Sequence, residues 1–343
     1  MAKTKVCLYF EFYHLWGGKI IKKMGGNGVI SAYETQQKIL KESGIDFTFD
    51  WDNSCDILQV NYPGFKTFGV IRKAKKQGKK VILWAHTSAD DFRNSFLLSN
   101  YLSVFLKKFL VFYLKKGDLI FCPSEHAKKL MVSYGLPEAK IKVVSNGVDS
   151  KFFAPSAKRK EAGRKKYKME GISVGMVGIV IKRKGISTFL NLAKTFPKHK
   201  FYWFGKIFSS KLADSLPKEL PQNAIFTDYI DRDKDMPEAL SGIDVFLFPS
   251  HEENQGIALL EAASAGLPIL TRDLPAYKGW LVHQENCLKA KTEKEFESNL
   301  KLLLEDKKLR ERLSKKALEV AKSEDIGNIG KRVSKIYEEL LNS

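Results

Sequence analysis

The feature that most limits what this chain can become is a repeated pairing of short apolar runs with stretches of helical pattern. Val6–Phe10, Phe47–Phe49, Ile57–Val60, Val81–Trp84, Leu119–Cys122 and Ile141–Val144 are of strand length in the first half. Ile172–Val177, Phe201–Phe204, Ala224–Phe226, Val245–Phe248 and the run opening at Pro268 continue the series in the second. Helical patterns fall between them, and Glu293 to Leu341 reads as helix throughout. Alternation of this kind predicts an α/β protein built on parallel, doubly wound sheets. The 343 residues suffice for two ordinary domains. From about Phe152 to Glu170 the hydrophobic pattern breaks in a Lys- and Arg-rich stretch, where the domain boundary is placed. The expected division is 1–155, then 156–324, with 325–343 a helix crossing back to the first domain.

A net charge of +19, carried by both halves, calls for an anionic partner: nucleic acid, an acidic membrane surface or a phosphorylated substrate. No nucleic-acid recognition motif accompanies the charge, and the aromatic residues interleave with Leu more than with Arg, so nucleic acid is not the expected partner. The four cysteines form no C-x-x-C pair and no zinc spacing, which fits a reducing cytosol and gives no metal site. The first residues lead straight into a strand and lack the apolar region of a signal peptide.

Residues 95–116 are unusual. On a helical wheel Asn100, Ser103, Lys107, Lys108 and Lys115 share one polar face, and the remainder is rich in Phe, Leu and Tyr. Central lysines argue against spanning a bilayer. A buried helix explains the apolar residues, and an interfacial helix explains these and the lysines together. Trp16, Phe105, Lys107, Lys108, Phe109, Phe112, Lys115 and Lys116 are the expected membrane-contacting residues.

Chemistry concentrates at loops that follow strands, where α/β sheets bind ligands. Glu253 and Glu261 flank a helix start near Gly256, after the strand that ends at Phe248 and the turn at Pro249-Ser250. The spacing suits two carboxylates aimed into a crevice beside a helix N-terminus, and it equally suits a surface loop with solvated acids. Gly178 ends a strand and leads to Arg183 and Lys184, cations suited to a diphosphate. Gly205 ends the next strand. His86 lies just past the strand Val81–Trp84, where a catalytic and a structural histidine read alike. Gly25-Gly26-Asn27-Gly28 opens a helix either as a ligand-approaching glycine loop or as a plain tight turn.

This ordered set resembles the family 4 retaining glycosyltransferases. The residues that carry the resemblance are Glu253-x7-Glu261 within Pro249-Ser-His-Glu-Glu-Asn-Gln-Gly-Ile, His86, the early glycine turn, Asn146-Gly-Val-Asp149 and Lys184-Gly185. His86-Thr-Ser-Ala-Asp-Asp-Phe-Arg and Thr271-Arg-Asp-Leu-Pro narrow it to the bacterial glycosyl-diacylglycerol synthases, nearest those that add galactose to monoglucosyl-diacylglycerol in streptococci. The resemblance implies a GT-B fold of two Rossmann-like domains facing across a cleft. It implies transfer of a hexose, galactose favoured over glucose, from a UDP-sugar to a glycolipid or diacylglycerol acceptor, for glycolipid and lipoteichoic acid anchor synthesis. A monoglucosyl-diacylglycerol synthase and a soluble family 4 enzyme acting on a polysaccharide precursor are the alternatives, with a basic nucleic-acid-binding protein the alternative of a different class.

By the same resemblance His86, Glu253, Lys184 and Arg183 are catalytic. Glu261, Asn254, Gln255, Gly256, Gly178 and Gly205 bind the donor, and Gly26, Asn27 and Gly28 form the acceptor or glycine loop. No cofactor and no metal is required, and the protein is peripheral on the cytoplasmic face of the membrane. Ile179 stands where many members carry Arg, and Gln255 and His251 replace an acidic and an aromatic residue.

Overall fold

The computed structural model describes residues 4–15, 28–93, 98–207 and 216–343. Trp16, Gly26 and Asn27 lie outside them. The chain divides into two compact units. The first comprises Met1–Phe92, Asn100–Gly147 and Glu324–Ser343, and the second Val148–Ser323 with a few residues between 93 and 99.

In the first unit the elements run β1 (Lys5–Phe10), α1 (Glu11–Leu15), α2 (Gly28–Glu42), β2 (Asp46–Thr48), β3 (Ile57–Tyr62), α3 (Thr67–Lys76), β4 (Lys80–Trp84), α4 (Ala89–Phe92), α5 (Ser99–Leu114), β5 (Leu119–Cys122), α6 (Glu125–Ser133) and β6 (Ile141–Val143). All six strands pair in parallel, in the order β2-β1-β3-β4-β5-β6. Side chains alternate between the two faces of a strand. Leu58 and Val60 of β3 therefore enter one core with Tyr113 and Leu114 of α5, while Ile57 enters the other with Ile30 and Tyr33 of α2.

The second unit contains α7 (Ala157–Tyr167), β7 (Ser173–Val177), α8 (Ile186–Thr195), β8 (Lys200–Phe204), β9 (Ala224–Phe226), α9 (Met236–Gly242), β10 (Val245–Phe248), α10 (Ile257–Ser264), β11 (Ile269–Arg272), β12 (Leu288–Ala290), α11 (Glu293–Glu305) and α12 (Lys307–Ser323). Its parallel sheet runs β12-β11-β10-β7-β8-β9, the Rossmann order. Strand order reverses between β7 and β10, so the loops leaving those two strands meet at the switch point.

The stretch whose hydrophobic pattern breaks is not without structure. It holds α7, whose lysines and arginines face solvent on nearly all sides and leave no apolar stripe to read. Gly163 is where α7 meets α9: a Cβ there would lie 2.0 Å from the Glu238 carbonyl oxygen. The helical end resolves into α11, α12 and α13 (Ile326–Leu341). Asp325 caps α13 by accepting from Gly327 N at 2.9 Å. Ile329, Val333, Tyr337 and Leu340 then join the core that β1, β3, β4 and α2 form in the first unit. Since Ile329 is fully buried there, Ile329→Ala should cost roughly 2–5 kcal/mol. It should lower the urea midpoint of the first unit while leaving that of the second unchanged, as read by tryptophan fluorescence and limited proteolysis.

Candidate active site

In the second unit β7 ends at Val177 and Gly178 follows it, and the loop returns through a 3-10 turn, Lys182–Lys184, into Gly185 and α8. Gly185 has φ +81°, and a Cβ there would lie 2.4 Å from the carbonyl oxygen of Pro249. That absence of a side chain lets the loop after β7 lie against the loop after β10. His251 N donates to Arg183 O at 2.8 Å and joins the two loops. Arg272, at the end of β11, donates to Pro249 O at 3.2 Å and to Thr188 Oγ1 at 3.2 Å, which ties the corner to α8. Gly205 follows β8, and a Cβ there would meet the Gly178 carbonyl.

This arrangement buries Glu253. Lys184 Nζ pairs with its Oε1, Arg183 Nη1 stands 3.6 Å from the same oxygen, and Ser250 Oγ donates to it at 2.7 Å. Burial alone would raise the carboxyl's pKa; Lys184, Arg183 and the hydrogen bonds outweigh it, so the pKa is lowered and Glu253 is ionised. Lys184 Nζ also stands 5.2 Å from the centre of the Phe248 ring. Asn254 and Gln255 are buried, and Gly256, at φ +82°, opens α10. Glu261 is buried one turn into α10, and both Nε and Nη2 of Arg232 reach its Oε1 at 2.7 Å.

The structure therefore brings Arg183, Lys184 and Glu253 into one charged cluster beside Gly178. Arg232, Ser250 and Arg272 were not among the expected residues. Ser250 was visible only as a turn residue. Arg232 sits in a loop without pattern, and its pairing spans 29 residues, so no local signal marks it.

His86 belongs to the first unit. Its ring stacks on Trp84 with centroids 4.6 Å apart and an angle of 3°, and its Nε2 stands 3.0 Å from Asn61 Oδ1. Burial pushes its pKa down to about 3, so the ring is neutral at ordinary pH. Gly28 is the first residue of α2. Among the described residues no group of three or more His, Cys, Asp and Glu could hold a metal ion.

On α5 the wheel reading requires correction. Ser103 does not share an exposed face with the lysines: it is fully buried, donating to Asn100 O at 2.7 Å. A hydroxyl that bonds a carbonyl of its own helix is cheap to bury. Four of the five aromatic residues of α5 take the outside instead, with Tyr101 78% and Phe105 69% exposed and Phe109 and Phe112 also exposed, while Tyr113 is fully buried. Phe68 of α3 touches the Phe112 ring at 5.7 Å and the Phe109 ring at 6.3 Å, and Phe65 nearby is 87% exposed. Lys107, Lys108, Lys115 and Lys116 are exposed on the same helix and just beyond it. No helix among the described residues is long and apolar enough to cross a membrane.

Residues 158–320 match the family described as Glycosyl transferases group 1, and residues 37–152 match Glycosyltransferase Family 4. Over 325 residues the chain is 30% identical to a processive diacylglycerol alpha-glucosyltransferase of Acholeplasma laidlawii, covering 92% of this chain and 94% of that one. The chain belongs to the family 4 glycosyltransferases. An alpha-galactosylglucosyldiacylglycerol synthase of Streptococcus pneumoniae is 26% identical over 75% of this chain and 71% of its own. Among solved structures, Anabaena HepE in complex with UDP and glucose superposes with a TM-score of 0.69 at 15% identity over 88% of each chain. WaaG, a glycosyltransferase involved in lipopolysaccharide biosynthesis, gives 0.66 at 15% identity over 90% of this chain and 96% of that one. These likenesses show the fold, two Rossmann-like units on parallel six-stranded sheets.

The buried cluster generates a prediction. Lys184→Met leaves Glu253 without its closest counter-charge and should destabilise the second unit by roughly 3–5 kcal/mol, with Glu253→Gln added to it restoring much of the loss. Because the folded-state pKa of Glu253 is depressed, its ionisation stabilises the unit above the ordinary carboxyl value of 4.5, and that contribution is lost as pH falls through the folded value. Glu253→Gln should therefore flatten the acid limb of a stability–pH curve.

Proposed function

We propose that the protein is a retaining glycosyltransferase that moves a hexose from a UDP-sugar to diacylglycerol or a monoglucosyl-diacylglycerol, working as a peripheral protein on the cytoplasmic face of a membrane. The observation that carries the reading is α5: a family 4 chain that turns Tyr101, Phe105, Phe109 and Phe112 outward beside four lysines. An apolar strip of this size with flanking cations suits an anionic bilayer, into which aromatic rings enter while ammonium groups stay at the phosphates.

For the donor, Arg183 and Lys184 neutralise the diphosphate as it departs. Charge stabilisation of this kind is often the largest catalytic contribution. Glu253 accepts hydrogen bonds from sugar hydroxyls, with Asn254, Gln255 and Gly256 completing the cradle. Gly178 and Gly205 let backbone approach the phosphates. Glu261 receives ribose hydroxyls through Oε2, since Oε1 is held by Arg232. His86 contacts the transferred sugar. Retention then follows front-face substitution: the bond from anomeric carbon to phosphate oxygen breaks as the acceptor oxygen bonds on the same side, and the leaving phosphate takes the acceptor's proton. Gly26, Asn27, Gly28 and Trp16 are assigned to the acceptor side. Because two cations serve the leaving group, turnover should persist in excess chelator; its loss in chelator with recovery on adding magnesium would overturn the metal-free reading.

The Acholeplasma relative favours glucose as the transferred sugar, and the Streptococcus relative supports the second reading, galactose. Incubation with each UDP-sugar plus diacylglycerol or monoglucosyl-diacylglycerol, followed by identification of the lipid product, decides between them. Absence of product with every lipid acceptor would reject the proposal. Replacing Lys107, Lys108, Lys115 and Lys116 by Glu should abolish co-sedimentation with vesicles containing phosphatidylglycerol, and unchanged sedimentation would reject the membrane assignment.

A further inference from the structure

A line of buried polar side chains runs through the first unit from α13 to His86. Tyr337 Oη meets Gln59 Oε1 at 2.5 Å, Gln59 Nε2 meets Gln36 Oε1 at 2.9 Å, and Gln36 Nε2 lies 3.4 Å from His86 Nε2. Tyr337, Gln59, Gln36 and Asn61 are all at least 95% buried. β3 carries Gln59 and Asn61 on one face by simple alternation, and β4 carries Ile82 and Trp84 on the corresponding face, with His86 two residues on. Three amides in a core are costly unless every donor and acceptor is matched, so their mutual bonds set one another's direction.

We propose that Tyr337 acts as a positioning residue that, through Gln59 and Gln36, fixes His86 in the tautomer protonated on Nδ1. The direction of the line starts at the phenol. Among the described residues Gln59 Oε1 is the acceptor that Tyr337 Oη reaches, and a hydroxyl left unmet at this depth is costly. The phenol therefore donates, and burial, which raises its pKa, keeps it protonated. Each amide that accepts on its oxygen must donate from its nitrogen. The sequence ends with Gln36 Nε2 donating to His86 Nε2, which must accept and so carries no proton. The contact from His86 Nε2 to Asn61 agrees once the Asn61 amide is turned end for end, a change that leaves its shape intact. The turn gives Asn61 Nδ2 an acceptor and leaves Asn61 Oδ1 as the unmatched atom in its place. Stacking on Trp84 then holds the ring in plane.

The proposal rests on the reading that His86 touches the reacting sugar, and the test separates the two. In full-length protein labelled with 15N-histidine, long-range 15N–1H correlation spectra distinguish the tautomers. The expected wild-type result at neutral pH is Nδ1–H for His86, assigned by its loss in His86→Asn. Tyr337→Phe and, separately, Gln36→Met should each mix or reverse the tautomer. They should also lower kcat by about tenfold to a hundredfold with little change in donor KM. Val333→Ala on the same helix serves as control and should alter stability without moving the tautomer. An Nε2–H tautomer in the wild type, or an unchanged spectrum in either variant, overturns the relay. A tautomer that shifts while kcat stays constant supports the relay and overturns the role given to His86.

Discussion

The second unit depends on one electrostatic bargain: Glu253 is buried, and the approach of Lys184 and Arg183, with hydrogen bonds from Lys184 and Ser250, keeps it charged. A lone carboxylate taken out of water would neutralise itself by binding a proton. To prevent this the chain must deliver cations from one loop to a carboxylate on another, 69 residues away. The Rossmann strand order does so, because β7 and β10 are neighbours whose following loops leave at the point where the order reverses. Gly185 then removes the side chain that would hold the loops apart, and Arg272 fixes Pro249 behind them. Fold and site are thus linked through the position of one charged side chain.

The first unit solves a comparable difficulty with neutral groups. Its amides and the Tyr337 phenol are linked in series, so this line of side chains carries no charge and calls for no counter-ion. This explains why α13, which follows the whole second unit in sequence, belongs to the core of the first: it supplies Tyr337 as well as apolar area. A helix providing only Ile329, Val333 and Leu340 would fill the space but would leave Gln59 Oε1 unmet.

Much of this was legible in the sequence. Short apolar runs alternating with helices specify parallel sheets, and loops after strands are where ligands bind in such sheets, so Arg183, Lys184, Glu253 and Glu261 could be picked out. Three things could not. α7 lacks an apolar stripe, and helices without one read as linker. On α5 the wheel identifies a polar face but not which face meets the core; Ser103 goes inward because its hydroxyl bonds its own helix, and the rings of Tyr101, Phe105, Phe109 and Phe112 go outward. Arg232 meets Glu261 through tertiary structure alone, from a loop with no periodicity. In each case the missing information is which surface a segment packs against, and local pattern does not carry it.

The Glu253 cluster also bears on how a donor would enter. Two cations and one carboxylate leave a single net positive charge, against the two negative charges of a diphosphate. An arriving diphosphate must therefore compete with Glu253 for Lys184 rather than fill an open cationic site. Hydrogen bonds from sugar hydroxyls can replace what Glu253 gives up, since a carboxylate accepts from hydroxyls as readily as from an ammonium group. A nucleotide diphosphate without its sugar offers no such replacement. In the proposed reaction the cluster would then favour the intact donor over the spent nucleotide, which couples release of the product nucleotide to the return of Lys184 to Glu253.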